Sequence, residues 1–182
     1  MRFLDEMNKA KQNPEEFSPS EKIVKQSRIS VDNISDLFVE FSSNLAEKLS
    51  INRSVLILNQ QQTNQLAAIS TWENGVVRDG LTITLPSESS LLIKVAEKGV
   101  ANTIDSPVDF SGNFFEKKLL FNNESKSLTI QPLIYDEKVI GLVTLSSISG
   151  ELTNKKSQSL IQEAAEQLAS LIIKRNNKDV AV

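Results

Sequence analysis

Apolar residues at Ile34, Leu37, Phe38, Phe41, Leu45 and Leu49 recur at spacings of three and four, a stripe that predicts an amphipathic helix over about 31–49. Upstream, Ser18-Pro19-Ser20-Glu21 supplies a capping residue, a proline suited to a first helical turn and a glutamate, so a short helix is expected to begin there. Ile23, Val31, Ile34, Phe38, Phe41 and Leu45 also fit one seam, which leaves open a single longer helix weakened at Ser27. From Ser54 the pattern shortens. Val55–Leu58 and Leu66–Trp72 are apolar runs, and Glu73-Asn74-Gly75 after them carries the Asn-Gly signal of a hairpin. Val76–Arg78 continues the sheet, and Leu81, Ile83 and Leu85 alternate with threonines as in a strand that buries one face.

Pro86-Ser87 ends that strand, with Ser87 placed to cap a helix over about 88–98 and Gly99 placed to terminate it. A brief strand, Val100–Ile104, follows. Residues 105–127 read as a long loop, and long loops are often lids or binding segments. Leu128–Ile134 and Val139–Ser146 form the clearest hairpin, joined across Tyr135-Asp136-Glu137-Lys138. A last helix starting near Thr153 carries Leu160, Ile161, Ala164, Ala165, Leu168, Leu171 and Ile172, a stripe wide enough to pack on the sheet and still touch a neighbour. The expected organisation is an N-terminal tail and short helix over 1–30, one domain over 31–175, and a fraying tail over 176–182.

Composition narrows the chemistry. The 182 residues suit one domain with one sizeable core, and no apolar run has the length of a membrane span. With 20 Lys and Arg against 23 Asp and Glu there is no basic excess, so nucleic acid is not an expected partner. Cys and His are both absent, which removes thiolate nucleophiles, imidazole bases and the usual soft metal ligands. Charges at Asp5, Glu6, Lys9 and Lys11 interrupt any secretory hydrophobic stretch, and a cytoplasmic location is the expectation.

The order of elements resembles the GAF domain, a sensory relative of the PAS fold. ITLPSESSLLIKVAEKGVANTID is similar to that family's strand, central helix, glycine and following strand, and SLTIQPLIYDEKVIGLVTLSS to its proline-bearing terminal hairpin. Gly99, Pro132 and Gly141 sit where the family usually carries the same residues. The fold class expected is therefore α+β: an antiparallel sheet of about five or six strands, the N- and C-terminal helices on one face and a helix-loop lid on the other. The resemblance implies a ligand between the sheet and the lid, with Trp72, Ser89, Ser90, Phe110, Phe114, Phe115, Gln131 and Thr144 around one cavity. It also excludes: bilin-binding members attach their chromophore through Cys, and methionine-sulfoxide-reducing members need several Cys. The cyclic-nucleotide signature Asn-Lys-Phe-Asp-Glu is only echoed by Asn113, Phe114 and Glu116, at a different spacing.

Other constellations carry less. Gly75 and Gly80-Leu81-Thr82 have the glycine spacing of a phosphate loop, but Leu81 stands where the lysine must be and a strand rather than a helix follows. No Ser-x-x-Lys spacing occurs, and Asp105 and Asp109 lack the alternating acidic pattern of a calcium loop. The phenylalanines at 110–121 line a ligand pocket or seal the core beneath a loop, and Trp72 packs at a strand end or faces the same cavity. No catalytic or metal-binding residue is assigned, and no cofactor is named. The function expected is a non-catalytic sensory or regulatory module that binds a small molecule or a partner protein and signals through its terminal helices as a homodimer. The alternative is a ligand-free scaffold or dimerisation module with a filled pocket; an enzyme ranks third.

Overall fold

The computed structural model describes residues 34–60, 63 and 65–180; the short helix expected from Ser18 lies outside them. The chain forms helix α1 (Ser35–Leu49), then β1 (Ile51–Gln60), β2 (Gln65–Glu73), β3 (Val76–Arg78) and β4 (Ile83–Thr84). It continues with α2 (Leu91–Lys98), β5 (Asn102–Ile104), α3 (Phe114–Leu120), β6 (Ser127–Tyr135), β7 (Lys138–Ser147) and α4 (Lys155–Val180). All pairings are antiparallel, in the order β3-β2-β1-β7-β6-β5, with β4 added on the free side of β2.

Two hairpins, β1–β2 and β6–β7, meet along the β1–β7 seam at the middle of the sheet. The continuous apolar run Val55–Leu58 belongs to the strand that is buried on both faces. Gly141 lies on this seam opposite Leu58, and a Cβ there would collide with the Ile57 carbonyl and the Leu58 side chain. Asn74 and Gly75 both take positive φ, as the Asn-Gly signal requires. The β6–β7 turn achieves the same with Asp136 and Glu137, at φ 50° and 61°. Pro132 pairs with Leu142 beyond the last residue that β5 covers, so its missing N–H interrupts no ladder on that side.

The two faces have separate cores. On one, α1 and α4 bury Phe38, Phe41, Leu45, Ile161, Leu168 and Ile172 against Leu56, Leu58, Ile69, Leu133, Val143 and Leu145. On the other, α2 and the 105–121 segment bury Leu92, Val95 and Leu120 against Val55, Ile57, Leu128, Ile130 and Leu142. This is the expected α+β arrangement, with seven strands because β3 and β4 are short additions at one edge.

Local boundaries shift. Leu81–Leu85 contributes only the two-residue β4, whose Ile83 is 38% exposed; Leu85 alone enters the core. The helix expected from 88 begins at Leu91, capped by Ser90 rather than Ser87: the Ser90 hydroxyl accepts from the Ile93 N–H at 3.0 Å. Gly99 closes α2 in the left-handed conformation, as anticipated. β5 starts at Asn102 rather than Val100. The 105–127 segment is not simply a loop: it holds a 3₁₀ turn at Pro107–Asp109 and α3. α4 runs on to Val180, through the region expected to fray.

Candidate functional site

The lid is built around one buried carboxylate. Asn113 caps α3 by accepting from the Glu116 N–H at 2.9 Å, and Glu116 reaches back to the Asn113 N–H at 3.3 Å, a reciprocal capping box. The same carboxylate turns towards α2. Glu116 Oε2 accepts from the Leu91 N–H at 3.0 Å, and Oε1 accepts from the Leu92 N–H at 3.3 Å and from the Ser90 hydroxyl. Glu116 is fully buried, and these donors satisfy it. Since the first turn of a helix presents unpaired N–H groups and a partial positive charge, this is a natural seat for an anion. The chain fills it from within.

The lid is fixed at its other end too. Arg53 Nε donates to the Leu119 carbonyl at 2.7 Å and Ser146 Oγ to the Leu120 carbonyl at 2.5 Å, so the last carbonyls of α3 are satisfied by the sheet. Arg53 also pairs with Glu73 at 2.9 Å, and Glu73 accepts from the Asn122 amide at 2.8 Å. Before and after α3 in the chain, Phe110 and Phe121 pack against the lid-side core and meet edge to face with centroids 5.5 Å apart. Gly112 sits where any Cβ would strike the Phe110 ring and the Glu116 carboxylate.

The eight residues expected around one cavity divide between the two faces and the surface. Ser90 and Phe110 lie under the lid, and Thr144 is on the lid-facing side of the sheet, cross-strand from Val55 and Ile130. Ser89 is at the exposed entry to α2, in a left-handed conformation. Phe114 and Phe115 point outward, 75% and 37% exposed, and the Lys118 ammonium lies 5.5 Å from the Phe114 ring centroid. Trp72 and Gln131 are on the opposite face. Trp72 belongs to the core under α1 and α4, with its indole N–H buried and without a hydrogen-bond partner among the described residues, and Gln131 is cross-strand from Val143 of that same core. The central residue of the lid, Glu116, was legible only as the capping pattern Asn-x-x-Glu at 113–116.

A concavity lies outside the sheet, between α1 and α4. This groove, about 270 Å³, is lined by Leu37, Phe41, Leu45, Leu160, Leu168 and Leu171 among others, with Glu40, Asn44, Lys48, Glu163 and Gln167 also in its wall. The two helices run antiparallel, with Asp36 at the start of α1 paired to Arg175 near the end of α4. The α4 stripe divides here: Ile161, Ala165, Leu168 and Ile172 are buried, whereas Leu160 and Ala164 are half-buried and Leu171 is 45% exposed. Among the described residues no group of three or more His, Cys, Asp or Glu side chains converges to hold a metal ion, and no helix is long and apolar enough to cross a membrane.

This architecture is the GAF-domain fold. The chain is similar to the GAF domain of a two-component sensor histidine kinase from Bacillus halodurans, at 19% identity and a TM-score of 0.64 over 81% of this chain and 96% of that one. It is also similar to a GAF domain/HD domain protein from Geobacter sulfurreducens, at 14% identity and a TM-score of 0.61 over 82% and 98% of the two chains. A type II free methionine-R-sulfoxide reductase from Thermoplasma acidophilum aligns at 12% identity and a TM-score of 0.59, over 79% and 94%. No family model matches the sequence. No curated protein matches it either.

Proposed function

We propose that this chain is a non-catalytic regulatory module of GAF fold that works by protein contact on its α1–α4 face, as a homodimer, with its lid side closed. The observation that carries this reading is the seat of Glu116: the carboxylate fills the start of α2, over a core in which Leu92, Leu120, Leu128, Ile130 and Leu142 are fully buried. An open concavity, lined by described residues, lies in the groove between the terminal helices. A regulatory role accords with the sensor histidine kinase domain that shares the fold. A non-catalytic role accords with the absence of Cys and His, which leaves no thiol for a reductase reaction of the kind named for the Thermoplasma protein. The cytoplasmic location expected from the sequence goes with this reading.

Light scattering of the full chain across a dilution series tests the proposal, together with native mass spectrometry of freshly purified protein. The expected mass is that of two chains, with no additional small molecule. A single-chain mass at every concentration would overturn the dimer. A small molecule retained in stoichiometric amount would favour the sensor reading, in which Ser90, Phe110 and Thr144 line the ligand site.

A further inference from the structure

The charges in the α1–α4 groove carry information about what docks there. Its wall holds one cation, Lys48, and two carboxylates, Glu40 and Glu163. All three are exposed, and among the described residues none of them is in an ion pair. Lys48 and Glu40 lie four residues on either side of Asn44, on the same stripe of α1, about 6 Å above and below it along the axis. A surface with both signs, separated along its length and not neutralised within the chain, is self-complementary. A second copy turned about a two-fold axis presents a carboxylate to each Lys48.

We infer, on the dimeric reading above, that a second copy of this chain occupies the groove and that Lys48 of each copy pairs with a carboxylate of the other, fixing the register of the dimer. A two-fold axis across the helices at Asn44 brings Lys48 over the partner subunit's Glu40. An axis along the helices lays α1 over the partner's α4 and brings Lys48 towards the partner subunit's Glu163. In both, Leu160 and Leu171 lose their remaining exposure, and the half-buried Ala164 lets the backbones approach. α1 is about 22 Å long, so a face of two such helices buries close to the roughly 1,000 Å² that a stable interface needs.

The test is sedimentation equilibrium on the full chain, comparing wild type with Lys48→Glu, Lys48→Glu/Glu40→Lys and Lys48→Glu/Glu163→Lys. Circular dichroism checks that each variant is folded, as expected for exposed positions. Lys48→Glu should weaken the dimer about tenfold, because both symmetry-related contacts turn repulsive. One of the double variants should return Kd to within about threefold of wild type: Glu40→Lys if the two-fold crosses the helices, Glu163→Lys if it runs along them. A dimer whose Kd ignores Lys48→Glu, or that neither second substitution rescues, overturns the pairing while leaving the dimer standing. A wild-type chain that stays monomeric overturns the dimeric reading itself.

Discussion

Glu116 does the work of two caps at once. It closes the first turn of α3 and supplies the first turn of α2 with the acceptor its N–H groups lack. Truncation leaves the Ser90 hydroxyl and the Leu91, Leu92 and Asn113 N–H groups without their acceptor in a dry site, which costs about 2–3 kcal/mol. Glu116→Ala is accordingly expected to lower the thermal midpoint clearly, and Glu116→Gln, which keeps one carbonyl acceptor, to lower it less. Formate or acetate added to Glu116→Ala should recover part of the loss and have no such effect on wild type. Equal losses in the Ala and Gln variants, with no recovery by either anion, would show that the four donors are not what the carboxylate serves. Trp72 is a built-in control: it lies in the core on the other face, so its emission should be unchanged by lid variants that remain folded.

Among the elements, the long periodic ones were readable and the short ones were not, for a physical reason. α1, α4 and the β6–β7 hairpin each repeat their apolar spacing over two or more turns or pleats, and hydrophobic burial decides them. α3 is seven residues long with only Leu120 as a fully buried apolar side chain; beyond its own Asn113–Glu116 capping box, its stability comes from hydrogen-bonding partners in three other elements, Leu91 and Leu92 of α2, Arg53 of β1 and Ser146 of β7. Such partners are far apart in sequence and leave no period. The shift of the α2 cap from Ser87 to Ser90 has the same origin, because Ser90 is chosen by its bond to Glu116. Among the expected site residues, Ser90 and Phe110 are beneath the lid, whereas Trp72 and Gln131 are on the far face: the extra β2 residue Ile69, at the bulge opposite Leu56/Ile57, moves Trp72 to the α1–α4 side, and Gln131 alternates with Ile130 of the lid-side core. The α4 stripe makes its own prediction. Leu168 is buried in the core and Leu171 is half-exposed, so Leu168→Asp should cost about 3 kcal/mol or more and compromise folding, whereas Leu171→Asp should leave the fold intact and weaken the dimer. Thermal melts paired with light scattering separate the two effects, and an intact dimer in folded Leu171→Asp would place the interface elsewhere.

At the scale of the whole molecule, the β1–β7 seam has a consequence for how the chain finds its structure. Each hairpin joins strands close in sequence, but Leu58 faces Gly141 across the seam, so the centre of the sheet closes only after a long stretch of chain has been brought round. Loop-closure entropy makes that step slow relative to forming either hairpin, and contacts of large sequence separation dominate the folding time of such sheets. The seam is thus expected to be the nucleus that limits the refolding rate. Val55→Ala and Leu145→Ala, on opposite sides of it and facing opposite cores, should slow refolding in a stopped-flow chevron, whereas Val77→Ala at the edge should act mainly on unfolding. If both seam variants changed only the unfolding limb, the seam would have to close after the step that limits the rate. Until the seam closes, neither core has a floor: the groove that receives a second copy and the lid that encloses Glu116 both come into being at the same late event, which makes the folded state a single cooperative unit.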